Sequence, residues 1–232
     1  YIGSPVEVQD LQSLIDANSS LASNPANSLI AIAPFDNNVV GGDADTDLFY
    51  SYYGVSNNSG TILPSGKGYL MATDEQIDGA ASDGTTVSFT GPVVTENVYY
   101  AISSGGNNSN YGKFNLVSNP FPTFLSANSS ADSTNNFLKI NGIDNDNLHN
   151  SHASIIAYNG NNGFDTKTNA SAEFYIAPGQ GFFVAADLSK DLIFSEAMQK
   201  HHNSDDFISG DITEPNEVEI KLFNGDNEIE ST

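Results

Sequence analysis

The 232-residue sequence contains no cysteine and no tryptophan, and only 7 of its residues are lysine or arginine. Without cysteine, the chain can form no disulfide bond and can offer no thiolate to a substrate or a metal ion. Acidic residues number 29, so the formal net charge is −22. A surface with this charge repels nucleic-acid phosphates and anionic lipids, and we therefore expect neither nucleic-acid binding nor membrane insertion.

Long hydrophobic runs are also missing. No apolar stretch approaches the roughly 18 residues that a membrane-spanning helix needs. The sequence starts at Tyr1 without a methionine or a signal-like segment, and it ends in mid-pattern at Thr232. These features are typical of a piece of a longer or processed precursor, which is how we interpret the chain.

The apolar residues that are present form short alternating runs. They include 14 Phe and 10 Tyr, enough for a folded core. Apolar and hydroxyl residues alternate over residues 85–90, and similar alternation follows over 96–103 and 113–117. Pro178-Gly179-Gln180-Gly181 predicts a tight turn that leads into a strand over 182–185. We therefore predict a mostly β fold of β-sandwich or jelly-roll-like modules.

Four motifs occur twice in the same order, which indicates an internal duplication. The matched segments are residues 3–6 with 118–121, 48–54 with 155–160, 62–70 with 175–183, and 87–89 with 192–194. We predict two tandem β pseudo-repeats with short helices, the first over residues 1–104 and the second over 105–210. Residues 211–232 are predicted to be a linker and the start of a truncated following module, whose first strand would include residues 218–223.

Each pseudo-repeat opens with a helix-start signal. Ser4-Pro5-Val6-Glu7 is a capping box, with proline at the first helical position. Val8, Leu11, Leu14 and Ile15 then fall on one helical face. Asn119-Pro120 offers a similar cap, although Pro122 would shorten the helix that follows. We therefore predict a short helix at each of these places.

Several of these motifs resemble a β-rich region of Bacteroidota secreted and cell-surface proteins. The resemblance is carried by residues 64–69, 118–122, 176–184 and 197–202. In that group the region lies upstream of the C-terminal sorting domain of the type IX secretion system. The resemblance implies export to the outer cell surface or the medium, as part of a large adhesin or a multidomain polysaccharide-degrading enzyme. Its motifs are structural, and no catalytic motif accompanies them.

Acidic loops supply the candidate metal ligands. In the segment of Asp43, Asp45 and Asp47, alternate carboxylates follow two glycines and can converge on one hard cation, for which calcium is the best match. Asp144 and Asp146 form a second, weaker candidate of the same chemistry. A solvated acidic turn explains either segment as well, so calcium is a possible cofactor only, and no other is expected.

Tyrosines supply the candidate ligand-binding residues. Tyr50, Tyr52 and Tyr53 could present rings for stacking on the C–H faces of a sugar, and so could Tyr99 and Tyr100. Side chains alternate along a strand, so one member of each adjacent pair should be exposed and the other should pack in the core. The lack of tryptophan weakens the sugar-binding interpretation without removing it.

The sequence contains no Gly-x-Ser-x-Gly elbow and no His-Glu-x-x-His helix, and we expect no enzymatic activity. Our main hypothesis is a non-enzymatic module of a secreted cell-surface adhesin or extracellular filament protein, exported by type IX secretion. The alternative is an ancillary carbohydrate-binding module of a secreted polysaccharide-degrading enzyme. The expected partners are a surface glycan or another cell-surface protein, together with neighbouring modules of the same chain.

Overall fold

A computed structural model describes residues 1–39, 49–73, 87–104, 111–159, 163–201, 222–224 and 227–229 of the chain. The fold is mostly β, as the alternating apolar runs predict. The strands are β1 (Gln9–Asp10), β2 (Ser23–Asn24), β3 (Leu29–Ile30), β4 (Ile32–Pro34), β5 (Ile62–Leu63), β6 (Tyr69–Met71), β7 (Val98–Ile102), β8 (Phe114–Ser118), β9 (Phe124–Ser126), β10 (Ser154–Tyr158), β11 (Phe164–Thr168), β12 (Tyr175–Ile176), β13 (Gly181–Ala185), β14 (Lys190–Phe194), β15 (Gln199–Lys200), β16 (Leu222–Asn224) and β17 (Asn227–Ile229).

Helices are few and short among the described residues. They are the α-helix α1 (Leu11–Ala17), a π-helical turn (Lys139–Asp144) and the 3₁₀ turns Asn150–His152 and Glu196–Met198. Helix α1 turns Leu11 and Leu14 inward, where both are buried. The prediction that Val8 shares a helical face with Leu11 and Leu14 is therefore only partly correct. Val8 precedes the helix and is 63% exposed.

The largest sheet contains four antiparallel strands in the order β11-β10-β13-β8. All residues of β13 are buried, so both faces of this strand are covered. Phe182 lies opposite Val117 of β8, and Phe183 lies opposite Leu116. Because successive side chains of a strand point to opposite faces, these two phenylalanines separate. Phe182 enters the larger core, whereas Phe183 faces residues of the N-terminal half.

Two hydrophobic cores hold the described residues together. The larger core contains the buried rings of Phe121, Phe137, Phe182 and Phe194. The smaller core belongs to the N-terminal half and includes Leu11 of α1. Burial of apolar surface is the main stabilising term in such a fold, at about 25 cal/mol per Å².

Strand β7 crosses between the two halves. It lies on the N-terminal side of the predicted boundary at residue 104, yet it pairs with β14 along its whole length. Its last residue, Ile102, is part of the larger core, as is Val94 just before the strand. The boundary itself remains a prediction, while the packing assigns β7 to the core of the C-terminal half.

The same set of backbone pairings occurs in both halves. The corresponding pairs are Ala33–Leu70 and Ile156–Phe183, Gln9–Leu63 and Leu125–Ile176, and Ile2–Tyr69 and Val117–Phe182. In every case both pairs are antiparallel. Each half thus joins its opening segment, its middle strand and the strand after its glycine turn in the same way.

The tight turn predicted over 178–181 lies one residue earlier, over 177–180, and a turn of the same geometry over 64–67 precedes β6. The Lys67 N–H donates to the Pro64 carbonyl over 3.1 Å, and the Gln180 N–H donates to the Ala177 carbonyl over 3.1 Å. The third residue of each turn is a glycine with positive φ, +88° at Gly66 and +66° at Gly179. A side chain at either glycine would be strained, so the turn itself explains the glycines.

The two halves interlock through these turns. The opening segment of each half makes backbone hydrogen bonds to the glycine turn of the other half. The bonds are Gly3 N–H to Gly179 O (2.8 Å), Gly181 N–H to Tyr1 O (2.9 Å), Ser118 N–H to Gly66 O (2.9 Å) and Gly68 N–H to Leu116 O (3.1 Å). Each half supplies an opening segment and a glycine turn to this exchange of hydrogen bonds. The two halves therefore form one connected body.

In each half, a buried asparagine connects a helix to a segment that is distant in sequence. The Asn18 side chain donates to Leu14 O and Ser88 O over 2.8 and 2.9 Å and accepts the Ser88 N–H over 2.7 Å. The Asn141 side chain donates to Phe137 O and Ile193 O over 3.1 and 2.9 Å and accepts the Ile193 N–H over 2.8 Å. We call these residues the bridging asparagines. Each pairs with both backbone groups of one distant residue, Ser88 or Ile193, so that neither group lacks a hydrogen bond.

The predicted helix starts are wrong at both places. The Ser4 hydroxyl accepts the Val6 N–H and donates to the Val6 carbonyl, which forms a local turn and no helix. Helix α1 begins later, where Asp10 is its N-cap and accepts the Ser13 N–H over 2.9 Å. Asp10 prevails because its second carboxylate oxygen also accepts the Gly60 N–H. A short side chain before a proline can close a turn as readily as it can cap a helix.

No helix follows Asn119 in the described residues up to β9. The Asn119 side chain is fully buried, accepts the Phe121 N–H over 3.0 Å and donates to the carbonyls of Thr123, Ile176 and Ala177. This asparagine therefore organises a turn and ties it to the end of β12. With the amide so engaged and Pro122 downstream, the chain continues as strand.

The ion pair between Lys200 and Asp132 leads us to expect a loss of stability in acid. The Lys200 ammonium lies 2.8 Å from the Asp132 carboxylate and, with the N–H groups of Asn135 and Thr134, lowers the pKa of Asp132 to about 2. Stability from a lowered carboxyl pKa is present above pH 4 and is lost as the pH falls toward 2. After solvent screening, we expect Asp132→Asn to remove about 1 kcal/mol of this pH dependence. Urea unfolding at pH 7 and pH 3 measures it.

The control for this prediction is Asp191→Asn, at an exposed position in β14 where no ion pair forms with the described residues. This variant should keep the pH dependence of the parent protein. Equal pH dependence in the parent and in Asp132→Asn would show that the ion pair does not contribute to stability.

Candidate functional site

Six aromatic residues meet on the face of the largest sheet that points away from the larger core. They are Tyr1, Phe35, Tyr50, Tyr158, Phe164 and Phe183, and we call them the aromatic surface. Tyr158 ends β10 and Phe164 begins β11, and the two residues lie directly opposite each other. The N-terminal half contributes the other side, because Tyr1 packs over Phe183.

The ring of Tyr1 is at the centre of the aromatic surface. Its centroid lies 5.4 Å from that of Phe183, 6.0 Å from Tyr158 and 6.1 Å from Phe164. The contacts with Phe183 and Tyr158 are edge-to-face, at 75° and 80°. Such geometries are favourable for aromatic pairs and hold the rings in place. The aromatic surface is therefore already formed in the absence of a partner.

Polar atoms on this surface are paired. The Tyr1 and Tyr50 hydroxyl groups lie 3.1 Å apart and share a hydrogen bond. Burial and the hydrogen bond with Tyr1 raise the pKa of Tyr50 above its ordinary value, and burial raises the pKa of Tyr1 as well. Both phenols therefore stay neutral at physiological pH. They can exchange hydrogen bonds with a neutral polar partner but supply no charge.

The edge of the aromatic surface is open. Phe164 is 49% exposed and Tyr158 is 37% exposed, while Phe183 beneath them is nearly covered. An exposed phenylalanine beside a half-covered tyrosine offers an apolar face with a polar rim. Such a face can receive the C–H side of a sugar ring or an apolar side chain of another protein.

A second candidate site is a groove next to Tyr52. It has a volume of about 340 Å³ and is lined by Ala22, Ser23, Asn24, Asn27, Leu29, Ile30, Ala31 and Tyr52. The Tyr52 ring is 44% exposed, and strands β2 and β3 form the floor. An aromatic ring beside asparagine amides suits a neutral ligand that has both a polar edge and an apolar face.

The predicted tyrosine trio does not form one platform. Tyr50 belongs to the aromatic surface and Tyr52 to the groove, whereas Tyr53 packs against the smaller core, where burial raises its pKa. The predicted alternation is confirmed, because Tyr52 is exposed and Tyr53 is not. It is confirmed again at Tyr99, which is exposed, and at Tyr100, whose burial raises its pKa to about 12.

Sequence reasoning missed Tyr1, Tyr158 and Phe164. A signal for the last two exists in the sequence: each flanks the turn-rich stretch Asn159-Gly160-Asn161-Asn162-Gly163, so a hairpin there makes them cross-strand neighbours. No local pattern marks Tyr1. Its place in the aromatic surface follows from the exchange of hydrogen bonds between the two halves.

In the described residues, Asp144 and Asp146 each lie beside a lysine. Asp144 pairs with Lys139 over 2.6 Å, and Asp146 lies 3.8 Å from Lys190. Asp43, Asp45 and Asp47 lie outside the described residues. Within the described part of the chain, no group of three or more histidine, aspartate or glutamate side chains is arranged to hold a metal ion. Calcium binding stays a prediction.

Comparison of the chain with protein-family models, with curated proteins and with solved structures gave no match. Among the described residues, no helix has the length and apolar character required to cross a membrane. The functional argument therefore rests on the geometry of the chain itself.

Proposed function

We propose that the chain is a non-enzymatic β module of a secreted cell-surface adhesin or extracellular filament protein, exported by type IX secretion. In this proposal, two related units act together as a rigid spacer that presents a contact surface. The observation that carries the proposal is the reciprocal exchange between the halves, in which each opening segment bonds to the glycine turn of the other half.

Further support for two related units comes from the bridging asparagines. Asn18 and Asn141 make the same three kinds of hydrogen bond: two to the backbone of the middle residue of a matched motif, and one to the carbonyl four residues earlier in the chain. A set of buried polar contacts of this kind is demanding, because each partner must be placed within hydrogen-bonding distance. Its recurrence favours duplication of one β unit over independent origin of the two halves.

The interlocked arrangement suits a mechanical role. Units joined only by a linker move relative to each other, whereas here the four backbone hydrogen bonds of the exchange and the pairing of β7 with β14 connect them. The strongly acidic composition keeps such a module soluble and keeps unrelated acidic surfaces apart. Binding would then fall to local neutral patches such as the aromatic surface.

A bead attachment assay tests the adhesive role. Beads coated with the protein should attach to cells or to the producing organism's growth surface, and Phe164→Ala should lower attachment by about tenfold, as loss of an aromatic anchor does at other interfaces. The matched control is Tyr99→Ala, which removes an exposed ring from β7, away from the aromatic surface. Attachment that is equal for coated and bare beads would contradict the proposal.

The second candidate function is carbohydrate binding, which the groove beside Tyr52 favours. We expect a glycan-array hit to lose about tenfold in affinity on Tyr52→Ala if the sugar occupies the groove, and on Phe164→Ala if it stacks on the aromatic surface. The control is Leu188→Ala, which removes an exposed apolar side chain that belongs neither to the aromatic surface nor to the groove. If the folded protein binds no glycan, the spacer role is the one that remains.

Running the array in calcium and again in EDTA tests the proposed calcium role of Asp43, Asp45 and Asp47. Calcium that binds only the folded chain stabilises it and would strengthen any site that its loop supports. Equal glycan binding in both buffers would exclude a calcium requirement for that site.

A further inference from the structure

Two histidines face each other just before β10. His149 is the N-cap of the 3₁₀ turn Asn150–His152, and His152 is the last residue of that turn. Side chains three residues apart lie on the same side of a 3₁₀ turn, because this helix has three residues per turn. The two Nδ1 atoms are therefore 3.2 Å apart, and the ring centroids are separated by 4.8 Å.

The geometry of this histidine pair matches that of two ligands of one metal ion. Imidazole nitrogens that share a tetrahedral zinc ion lie about 3.3 Å apart, with their ring centroids about 5.2 Å apart. For a square-planar copper ion the two separations are about 2.8 and about 4.5 Å. A linear hydrogen bond between the nitrogens would instead separate the centroids by about 5.5 Å. The observed values of 3.2 and 4.8 Å lie between the two metal geometries, and the nitrogen separation is closest to that of zinc.

The backbone holds both histidines in place. The His149 N–H donates to the Ala185 carbonyl at the end of β13, and the His152 N–H donates to the His149 carbonyl, each over 2.8 Å. Leu148, directly before the pair, is fully buried and forms a β-bridge with Ala186. Ligands that the fold already positions lose little freedom when an ion binds, so this pair is preorganised.

A carboxylate lies on the far side of one ring. Asp187 Oδ1 is 3.7 Å from His149 Nε2, the nitrogen that faces away from His152. A carboxylate in this place attracts the N–H of a metal-binding imidazole and leaves the other nitrogen free of a proton. The Ser151 N–H also points at His149 Nδ1, over 3.2 Å. Ser151 is exposed, so water can replace this contact when an ion binds.

The charge of the chain favours a cation at the pair. The formal net charge of −22 attracts cations from solution, and Asp187 adds a local negative charge. Lys113 is close enough to His152 to interact with it electrostatically and opposes a cation. Imidazole is ordinarily neutral above its pKa of about 6.5, and neutral imidazole is the form that binds metal ions.

We propose that His149 and His152 bind one zinc ion through their Nδ1 atoms, with Asp187 as a positioning residue. Among the described residues no third histidine, aspartate or glutamate side chain completes the set, so water or a donor from another molecule takes the remaining coordination positions. The ligands are nitrogens, which calcium does not prefer, so this site differs in chemistry from the acidic loops. It is also independent of the adhesive role, because none of its residues belongs to the aromatic surface.

Calorimetric titration of the full chain with zinc at neutral pH tests the site. We expect saturable binding, and His149→Ala and His152→Ala should each lower the affinity about tenfold or more, because one imidazole then remains. Asp187→Ala should lower it about tenfold without changing the unfolding midpoint of the zinc-free protein. His201→Ala, which removes an exposed histidine outside the pair, is the matched control and should bind zinc as the parent does.

Imidazole NMR and thermal unfolding supply two further readouts. Of the four histidines in the chain, His149 and His152 should show ring ¹⁵N shifts with zinc and none with calcium. Zinc at about 100 times its Kd should raise the unfolding midpoint of the parent by about 5–10 °C and leave that of His149→Ala nearly unchanged.

Three results would overturn the zinc site. The first is a parent protein that shows no saturable zinc binding. The second is binding that neither His149→Ala nor His152→Ala weakens, which would place the ion on surface carboxylates. The third is zinc binding that His201→Ala abolishes while both histidines of the pair keep their ring shifts. Attachment and glycan assays in zinc-free buffer are unaffected by any of these, so failure here is distinguishable from failure of the proposed function.

Discussion

Replacing Asn141 by alanine is expected to lower the free energy of unfolding by about 3 kcal/mol, because it leaves buried backbone groups without partners. The side chain is fully buried, donates to the carbonyls of Phe137 and Ile193 and accepts the Ile193 N–H. Alanine fills part of the space and can make none of these bonds. Thermal unfolding followed by circular dichroism should show a midpoint about 5–10 °C lower than that of the parent.

Asn150→Ala is the control, because Asn150 is exposed and its side chain makes no hydrogen bond to the described residues. Its midpoint should stay close to that of the parent. Asn18→Ala removes the equivalent bonds in the N-terminal half, and the interlocked halves should then still unfold in one transition at a lower temperature. A midpoint for Asn141→Ala equal to that of Asn150→Ala would show that the bridging asparagines do not stabilise the fold.

The second large effect is expected at Gly3. A β-carbon at this position would lie 1.9 Å from the Ser118 hydroxyl oxygen and 2.4 Å from the Lys67 carbonyl oxygen. These atoms belong to the exchange between the halves, since Ser118 donates to the Lys67 carbonyl over 2.9 Å. Gly3→Ala must therefore push the two halves apart at their junction. We expect a loss of about 3 kcal/mol, at the upper end for an added methyl group in a packed site.

Chemical denaturation of Gly3→Ala measures this loss, and Gly54→Ala is the control. A β-carbon at Gly54 would meet no atom closer than 3.5 Å, so its free energy of unfolding should change by less than about 1 kcal/mol. Ser118→Gly should partly rescue Gly3→Ala, because it removes two of the three closest atoms, and the two substitutions would then be non-additive. Equal stability of the two alanine variants would contradict the junction that we describe.

The strands and turns that the sequence predicts correctly are those whose physical cause lies in neighbouring residues. Alternation over residues 113–117 corresponds to β8, the strand predicted over 182–185 after a tight turn corresponds to β13, and the paired glycine turns have the positive φ angles that their sequences require. That one member of each adjacent tyrosine pair is exposed also follows from alternation alone. In these cases the neighbouring residues contain the whole of the physical cause.

The predictions of the two helix starts are wrong for a different reason. Ser4 and Asn119 have side chains that can cap a helix or close a turn, and local sequence does not distinguish the two outcomes. Asn119 is committed to the turn by carbonyls of β12 and the residue after it, which are distant in sequence. Helix α1 instead begins after Asp10, whose carboxylate also bonds to Gly60.

By itself, the sequence determined the β-rich class, the acidic surface, the lack of cysteine chemistry and the positions of the tight turns, because composition and period-two alternation act over a few residues. Only the tertiary structure decided that β7 pairs with β14, that Asn18 and Asn141 each join a helix to a distant segment, and that Tyr1 contacts Tyr158 and Phe164. Each of these contacts joins residues far apart in the chain. Their partners are selected by which buried groups still need a hydrogen bond or an apolar neighbour once the whole chain is packed.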